Sequence, residues 1–459
     1  MKRKILALIL AAAMIFSTLP VFADDTFGKV EKEYAVNGWT VGTAANPLTV
    51  SGGNDGKIDY VSLGDSMAFG YGLPAMGKGK HNKAFVEVQG SYPDLIRDYL
   101  ASKYAKKYSF FQGAVSGARA LDDCIFLSDN FKSDSYHDAY FKKQYFYESG
   151  NDGYEADKND YNAFTTALPE NVKNADFITI TVGGNDTLLY SVLALLGPVL
   201  NGGDIRDNPV SKDNLEQFYG ASAVSKYTAM KEKLLGIIGE SGKSKIEPIF
   251  NAIEVILYSM GSVVKCEPEL LDIIHEENPG AVIALTGLPA ILSEYKVQVD
   301  NVTVDLGSIF APMSNVLNAY VKNIAEERSS YVRYIDIFDF DPIPVDVDPE
   351  VAEDGVIKGE KFVDFLTEYF LKLTHPSELG QKQIADSIMK NFNFSVRGGK
   401  LAVTKNYVKN VYTMFLSKIG ISKIENVWTA VKRVNFLDLL SNSVSLVKTI
   451  ASIAAGLVN

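Results

Sequence analysis

The stretch VSLGDSMAFGYG, Val61 to Gly72, ends an apolar run on Asp65 and Ser66 between glycines. A serine at the exit of a strand and the entrance of a helix exposes its hydroxyl, and its own N–H points to where an oxyanion would form. That suits a nucleophile in acyl transfer, although Asp-Ser ahead of a helix is also a common N-cap. Three further stretches carry the types such a nucleophile needs. FQGAVSGARA, Phe111 to Ala120, places Gly117 where a flexible residue can present a free N–H, or where any strand-to-loop glycine would stand. TVGGNDT, Thr181 to Thr187, places Asn185, with two side-chain donor hydrogens suited to an oxyanion, directly after another apolar run. The string GGND also occurs at Gly52 to Asp55, ahead of the first run, where it reads as a turn. LKLTHPSELGQKQIADSIMKNF, Leu371 to Phe392, puts His375 just before a helix, with Pro376 in the first turn and Ile384, Ala385 and Ile388 facing inward. A general base there would stand on a rigid element. His81, His137 and His275 fall in polar segments and are expected to be solvated.

The elements that must position these residues follow from hydrophobic patterning. Ile58–Leu63, Tyr108–Gln112, Phe177–Val182, Ala281–Gly287 and Val332–Phe338 are short apolar runs without alternation, as expected of parallel strands covered on both faces. Helical patterns lie between them, among them SYPDLIRDYLASKYAKKY and SIFAPMSNVLNAYVKNIAEERS. Strand and helix in alternation predict an α/β domain with helices on both faces of a five-stranded parallel sheet, its site at the carboxyl ends of the strands. Two insertions interrupt the alternation. Residues 120–170, rich in Tyr, Phe, Asp and Lys, read as a loop or lid over the sheet end. Residues 187–270 open on the apolar LLYSVLALLGPVL, which either lines an acyl pocket or packs as a helix on the sheet, and continue as amphipathic helices.

Lys2, Arg3 and Lys4 precede the apolar run Ile5 to Phe16, and Val21 and Ala23 stand ahead of Asp24, the pattern of a secretory signal peptide over 1–23. Ser17, Thr18 and Pro20 break the run short of the ~20 residues that span a bilayer. A soluble, exported protein is therefore expected. Three positive charges leave with the leader, taking the formal net charge from −11 to −14. So acidic a chain argues against nucleic acid as a partner. Cys124 and Cys266 form no framework, and a bridge between them stays open. Residues 396–459 are different in kind, with nine basic residues against Glu425 and Asp438 in helical patterns. They are expected to form a separate module, docking on the acidic domain of the same chain or else on an anionic surface. The resulting organisation is a signal peptide (1–23), an N-terminal segment (24–57), a catalytic domain (58–395) and a basic helical extension (396–459).

With its four blocks in this order, the chain resembles the GDSL or SGNH hydrolases, whose namesake residues correspond to Ser66, Gly117, Asn185 and His375. The resemblance runs from Ile58 to Ser395, and LGDSxAxGYG, VSGA and HPxxxGxxxIA are most similar to the secreted bacterial esterases and lipases. It implies a flavodoxin-like three-layer α/β/α sandwich. It also implies Ser66 as nucleophile, His375 as general base, an oxyanion hole of the Ser66 and Gly117 N–H groups with the Asn185 amide, and Asp65 and Asp186 in support. No metal or organic cofactor is implied.

One position departs from that family. Three residues before the histidine, where it usually has an aspartate, stands Lys372. The preferred reading is a Ser-His dyad in which the Lys372 backbone carbonyl orients the imidazole, with Asp364 or a carboxylate of DIFDFDPIPVDVDPEVAED as the alternative. That acidic segment, Asp336 to Asp354, lacks the spacing of a calcium loop and reads as solvated. GLPAMGKG lacks the Ser or Thr of a phosphate loop. The substrate is expected to be a small-molecule or lipid ester. An acetylated polysaccharide, or binding without catalysis, are the alternatives.

Overall fold

The structure, a computed structural model, describes residues 44–395 apart from some internal stretches, of which 77–86, 139–157 and 190–209 are the longest. The expected leader and basic tail, His81, and the apolar run beyond Leu189 lie outside the described residues. Strand β1 (Leu48–Ser51) leads through the first GGND string, closed by a Gly56 N–H to Gly53 carbonyl bond of 3.0 Å, into β2 (Ile58–Gly64). The chain continues through β3 (Tyr108–Gln112), β4 (Phe177–Thr181) and β5 (Val282–Thr286), then a hairpin of β6 (Lys296–Val299) and β7 (Val302–Asp305), and β8 (Val332–Ile335). Short strands β9 (Ala352–Glu353) and β10 (Val356–Lys358) and a final β11 (Phe392–Ser395) complete it.

Strands β3-β2-β4-β5-β8 form the central sheet in that order, every pair parallel. Counted along the chain, this is the 2-1-3-4-5 order of flavodoxin-like sheets, whose crevice opens beside the first strand, where the order reverses. All five strands coincide with the apolar runs; the inner strands β2, β4 and β5 bury both faces, while the edge strands β3 and β8 are only partly covered. Within β2, Ile58 and Tyr60 pack on one side while Val61 and Leu63 pack on the other; Phe177 and Ile178 divide in the same way. Each such aliphatic side chain contributes about 1.5–3 kcal/mol on full burial.

Helices flank both faces. The short α1 (Ser66–Phe69) follows β2; α2 (Tyr92–Tyr104), α3 (Ala120–Leu127) and α4 (Lys158–Asn174) come before β4. Helices α5 (Lys212–Tyr219), α6 (Ala221–Ile238) and the long α7 (Glu240–Glu277) fill the second insertion, followed by α8 (Gly307–Glu327), α9 (Phe370–Leu373) and α10 (Glu378–Met389). Ile96 and Leu100 of α2 and Ile384, Ala385 and Ile388 of α10 cover one face; α3, α4, α7 and α8 cover the other. The two ends of the expected lid are therefore core helices. Tyr161, Phe164, Leu168 and Val172 of α4 turn inward, and the polar residues between them conceal that helical spacing. A small sheet, β7-β6-β10-β9, stands apart, and β1 pairs with β11 in parallel, tying the entry of the domain to its exit. Cys124 and Cys266 are free and adjacent, the Cys124 thiol donating to the Cys266 carbonyl at 3.4 Å.

Candidate active site

Strand β2 ends at Gly64, with φ of +122° and so little room that a Cβ would stand 2.2 Å from the Thr181 carbonyl oxygen. Only glycine fits, and the carboxyl ends of β2 and β4 close on one another. Asp65 follows as the N-cap: its carboxylate accepts the Met67 N–H at 2.9 Å, and its own N–H donates to the Thr181 carbonyl at 2.9 Å. Because Asp65 takes the capping role, the Ser66 hydroxyl is left for other work. The chain turns back at Gly70, and the Gly70 and Tyr71 N–H groups both donate to the Ser66 carbonyl, at 3.0 and 2.9 Å.

His375 arrives from the far end of the chain. Its Nε2 lies 2.7 Å from Ser66 Oγ, and its Nδ1 lies 3.3 Å from Thr374 Oγ1. The Lys372 carbonyl, expected to hold Nδ1, is found accepting the backbone N–H groups of His375, at 3.1 Å, and Thr374. Asp364, the alternative third member, pairs with Lys361 at 3.1 Å. The N-cap of α10 is Ser377, accepting from the Gly380 N–H at 3.1 Å, so Pro376 stands ahead of the helix rather than in its first turn. Gln381, one turn into α10, accepts the Tyr92 N–H at 2.8 Å and donates to the Met67 carbonyl at 3.1 Å, joining the base's helix to the nucleophile's turn.

The acidic segment, read as solvated, is partly a strap over this turn. The Ile343 N–H donates to the His375 carbonyl at 2.9 Å, the Ser377 N–H to the Asp341 carbonyl at 2.8 Å, and the Asp341 N–H to Gln383 Oε1 at 2.7 Å. Ser377 Oγ also donates to the Asp341 carboxylate.

Gly117 lies in the loop after β3 with φ of +83°, a backbone that favours glycine. Among the described residues neither its N–H nor that of Ser66 makes a hydrogen bond. Asn185, after β4 and almost buried, spends one amide hydrogen on the Ala118 carbonyl at 2.9 Å, which pins the two loops together and leaves the second hydrogen to donate. Asp186 accepts the Ala120 N–H at 3.0 Å and the Ser262 hydroxyl, fixing the start of α3.

A family model described as GDSL-like Lipase/Acylhydrolase matches residues 60–388, a span that holds Ser66, Gly117, Asn185 and His375. The chain belongs to the GDSL-like lipase/acylhydrolase family. Like its family, this hydrolase acts on carboxylic esters. Similar solved structures include an extracellular lipase from Streptomyces rimosus (18% identity, covering 72% of this chain and 98% of that one, TM-score 0.32). Phospholipase A1 from Streptomyces albidoflavus NA297 is 14% identical, with 72% and 97% covered and a TM-score of 0.34. The acetyl xylan esterase AlAXEase is 13% identical, with 72% and 98% covered and a TM-score of 0.28. No curated protein sequence matches the chain.

Behind the hydrolase's site lies a buried ionic cluster that sequence reasoning missed. Arg119, wholly buried, holds Asp122 at 2.8 and 2.9 Å, Asp134 at 3.0 and 3.1 Å, and the Tyr258 hydroxyl at 2.7 Å. His137, expected to be solvated, is buried in it between Asp122 and the Tyr161 hydroxyl, each at 2.9 Å. Asp134 and His137 turn inward, while Lys132, Ser133 and Asp138 of the same segment are exposed. His275 is half-buried and stacks on Tyr331. In the catalytic turn and beside Asn185 the carboxyls are held above their ordinary range. Burial pushes Asp65 up to about 7, against the Met67 N–H, and pushes Asp186 up to about 6, against the Ser262 hydroxyl and Arg119.

Proposed function

We propose that this family member is an exported serine esterase that works through an acyl-serine intermediate. The observation that carries the reading is the 2.7 Å approach of Ser66 Oγ and His375 Nε2, residues 309 positions apart; the Asn185 amide, bonded to the Ala118 carbonyl beside Gly117, supports it. With Nε2 accepting from Ser66, the neutral ring carries its proton on Nδ1, beside Thr374. Ser66 Oγ attacks the ester carbonyl carbon while His375 removes its proton. The carbonyl oxygen becomes an oxyanion held by the Ser66 and Gly117 N–H groups and the second Asn185 hydrogen. Collapse breaks the bond to the alcohol, which leaves with the proton from His375. Water, deprotonated by the same imidazole, then attacks the acyl-enzyme and releases the acid.

The other parts of the proposal follow from the sequence: the leader exports the chain, its substrate is a small-molecule or lipid ester, and the basic tail docks on its own acidic domain. The test is labelling by a fluorophosphonate probe together with hydrolysis of nitrophenyl esters of increasing chain length, with acetyl release from acetylated polymer measured in parallel. Ser66→Ala is expected to abolish labelling and to cost roughly 10⁴-fold or more in kcat. Labelling that survives Ser66→Ala overturns the assignment of the nucleophile. A rate that falls steeply beyond the acetyl ester, with acetyl release from polymer, moves the substrate to polysaccharide.

A further inference from the structure

One short turn carries both the nucleophile and an aromatic ring set against the base. The ring of Tyr71 lies 4.7 Å from the imidazole of His375, centroid to centroid, with the planes inclined at 46°. Its place is fixed from two sides. The Tyr71 N–H donates to the carbonyl of Ser66 itself, at 2.9 Å. On its other side is Gly72, where a Cβ would stand 2.4 Å from Ile343 Cδ1, and the Ile343 N–H is bonded to the His375 carbonyl at 2.9 Å. The strap that holds the histidine's backbone therefore rests on the turn that carries the ring. Neither end can shift without moving the other.

We infer that Tyr71 is a positioning residue for this hydrolase: its ring holds the His375 imidazole toward Ser66 and stabilises the imidazolium that forms when Ser66 gives up its proton. The inference rests on the proposal that His375 is the general base. An aromatic face within about 6 Å of a cation attracts it by roughly 0.5–2 kcal/mol, more as water is excluded, and His375 is almost buried. That attraction acts on the charged ring and not on the neutral one, so it favours the state reached during attack over the resting state. The ring, rather than the phenol oxygen, does this; burial already pushes the Tyr71 hydroxyl above its ordinary value and keeps it neutral.

Among the described residues, Tyr71 is in ring contact with the imidazole, Lys372 stands on the preceding helix, Asp341 is bonded to Ser377 on the strap, and Asp65 and then Asp186 lie on the Ser66 side. Asp65 and Asp186 titrate in the same range as a histidine, so the comparison must be between variants that leave both intact. The experiment is the pH profile of kcat/KM and the separate kcat and KM for a nitrophenyl ester, with Tyr71→Leu, Tyr71→Phe and His375→Ala. Tyr71→Leu is expected to lower kcat by about 10-fold with little change in KM, and to move the acid limb down by ~0.5 pH unit. Tyr71→Phe, which keeps the ring, is expected to restore the acid limb to its wild-type position. An acid limb unmoved in Tyr71→Leu, or moved equally in Tyr71→Phe, overturns the inference. If Tyr71→Leu fails to fold, the Phe variant and a Tyr71→Trp variant, expected to hold or raise the limb, still decide it. Full hydrolysis by His375→Ala instead overturns the base assignment, an outcome distinct from either.

Discussion

Asp122 and Asp123 are neighbours on α3, both are buried, and their carboxyls shift in opposite directions. Burial pushes Asp122 up, but the Arg119 guanidinium, its hydrogen bonds and His137 outweigh that and hold the carboxyl well below its ordinary range. Burial pushes Asp123 far up, and the nearby Asp122, Asp65 and Asp186 push it further; its Oδ2 makes no hydrogen bond among the described residues. Glu267 resembles Asp123: wholly buried, raised by burial and by Asp186, with neither oxygen hydrogen-bonded among the described residues. Arg119 holds Asp122 down. Burial raises the other set, Asp65, Asp123, Asp186 and Glu267, of which Asp65 and Asp186 adjoin Ser66 and Asn185 in the chain. The difference has a chemical sense. A fixed negative charge beside an oxyanion hole would oppose the charge that develops there, whereas a neutral carboxyl still accepts a backbone N–H and shapes a loop without that penalty.

The largest way to break the contrast is to remove the cation. Arg119→Met leaves Asp122 and Asp134 buried without their partner, and losing one side of a buried ion pair typically costs about 3–5 kcal/mol. Urea unfolding at neutral pH should show a loss of that order. A loss under about 1 kcal/mol would mean that the guanidinium has no selective hold on Asp122, and the distinction between the two sets would collapse.

A smaller effect follows from pH. Asp65 and Asp186 have folded values raised to about 7 and about 6 from 3.8. The folded chain therefore binds more protons than the unfolded chain through this window, and stability falls as pH rises. The contribution is fully present below about pH 4 and gone above about 7, a decline between pH 5 and 7 of roughly 2 kcal/mol from Asp65 and roughly 1 kcal/mol from Asp186. Asp122 runs the other way: its contribution is present above the ordinary carboxylate range and is lost as pH falls below it. Thermal melts across pH should thus peak in the mildly acidic range. Asp65→Asn should flatten the neutral side of that peak and leave the acid side alone; a neutral side unchanged by the substitution would show Asp65 to be ionised throughout.

Much of this architecture is legible in the sequence, for a physical reason. A strand covered on both faces is mostly apolar without alternation, so the inner runs mark the sheet without help from tertiary context, and the edge runs, only partly covered, still carry enough apolar residues to be seen. Ser66, Gly117, Asn185 and His375 stand at element ends, where backbone constraints leave a pattern. What was not legible acts through the backbone or through partners distant in sequence. The strap works by the Asp341 carbonyl and the Ile343 N–H, groups every residue has, inside a segment whose side chains suggest only solvation. Thr374 meets Nδ1 because of the turn's geometry, though a hydroxyl beside the histidine was a usable sign. His137 and Asp134 look like surface residues until Arg119, 18 and 15 positions earlier, brings them inside.

The sharpest form of the comparison is also the one with the smallest expected effect. Asp123→Asn replaces a carboxyl whose charged form burial and its acidic neighbours disfavour by an amide of the same shape, so at neutral pH the stability should change by less than about 1 kcal/mol. The same substitution one residue earlier, Asp122→Asn, removes a charge that Arg119 and His137 both hold, and should cost about 2–3 kcal/mol. Size, helix and burial match in the two variants, and only the partner differs. Equal losses from the two would mean that burial alone governs these carboxyls, and that Arg119 exerts no selective hold on the first of them.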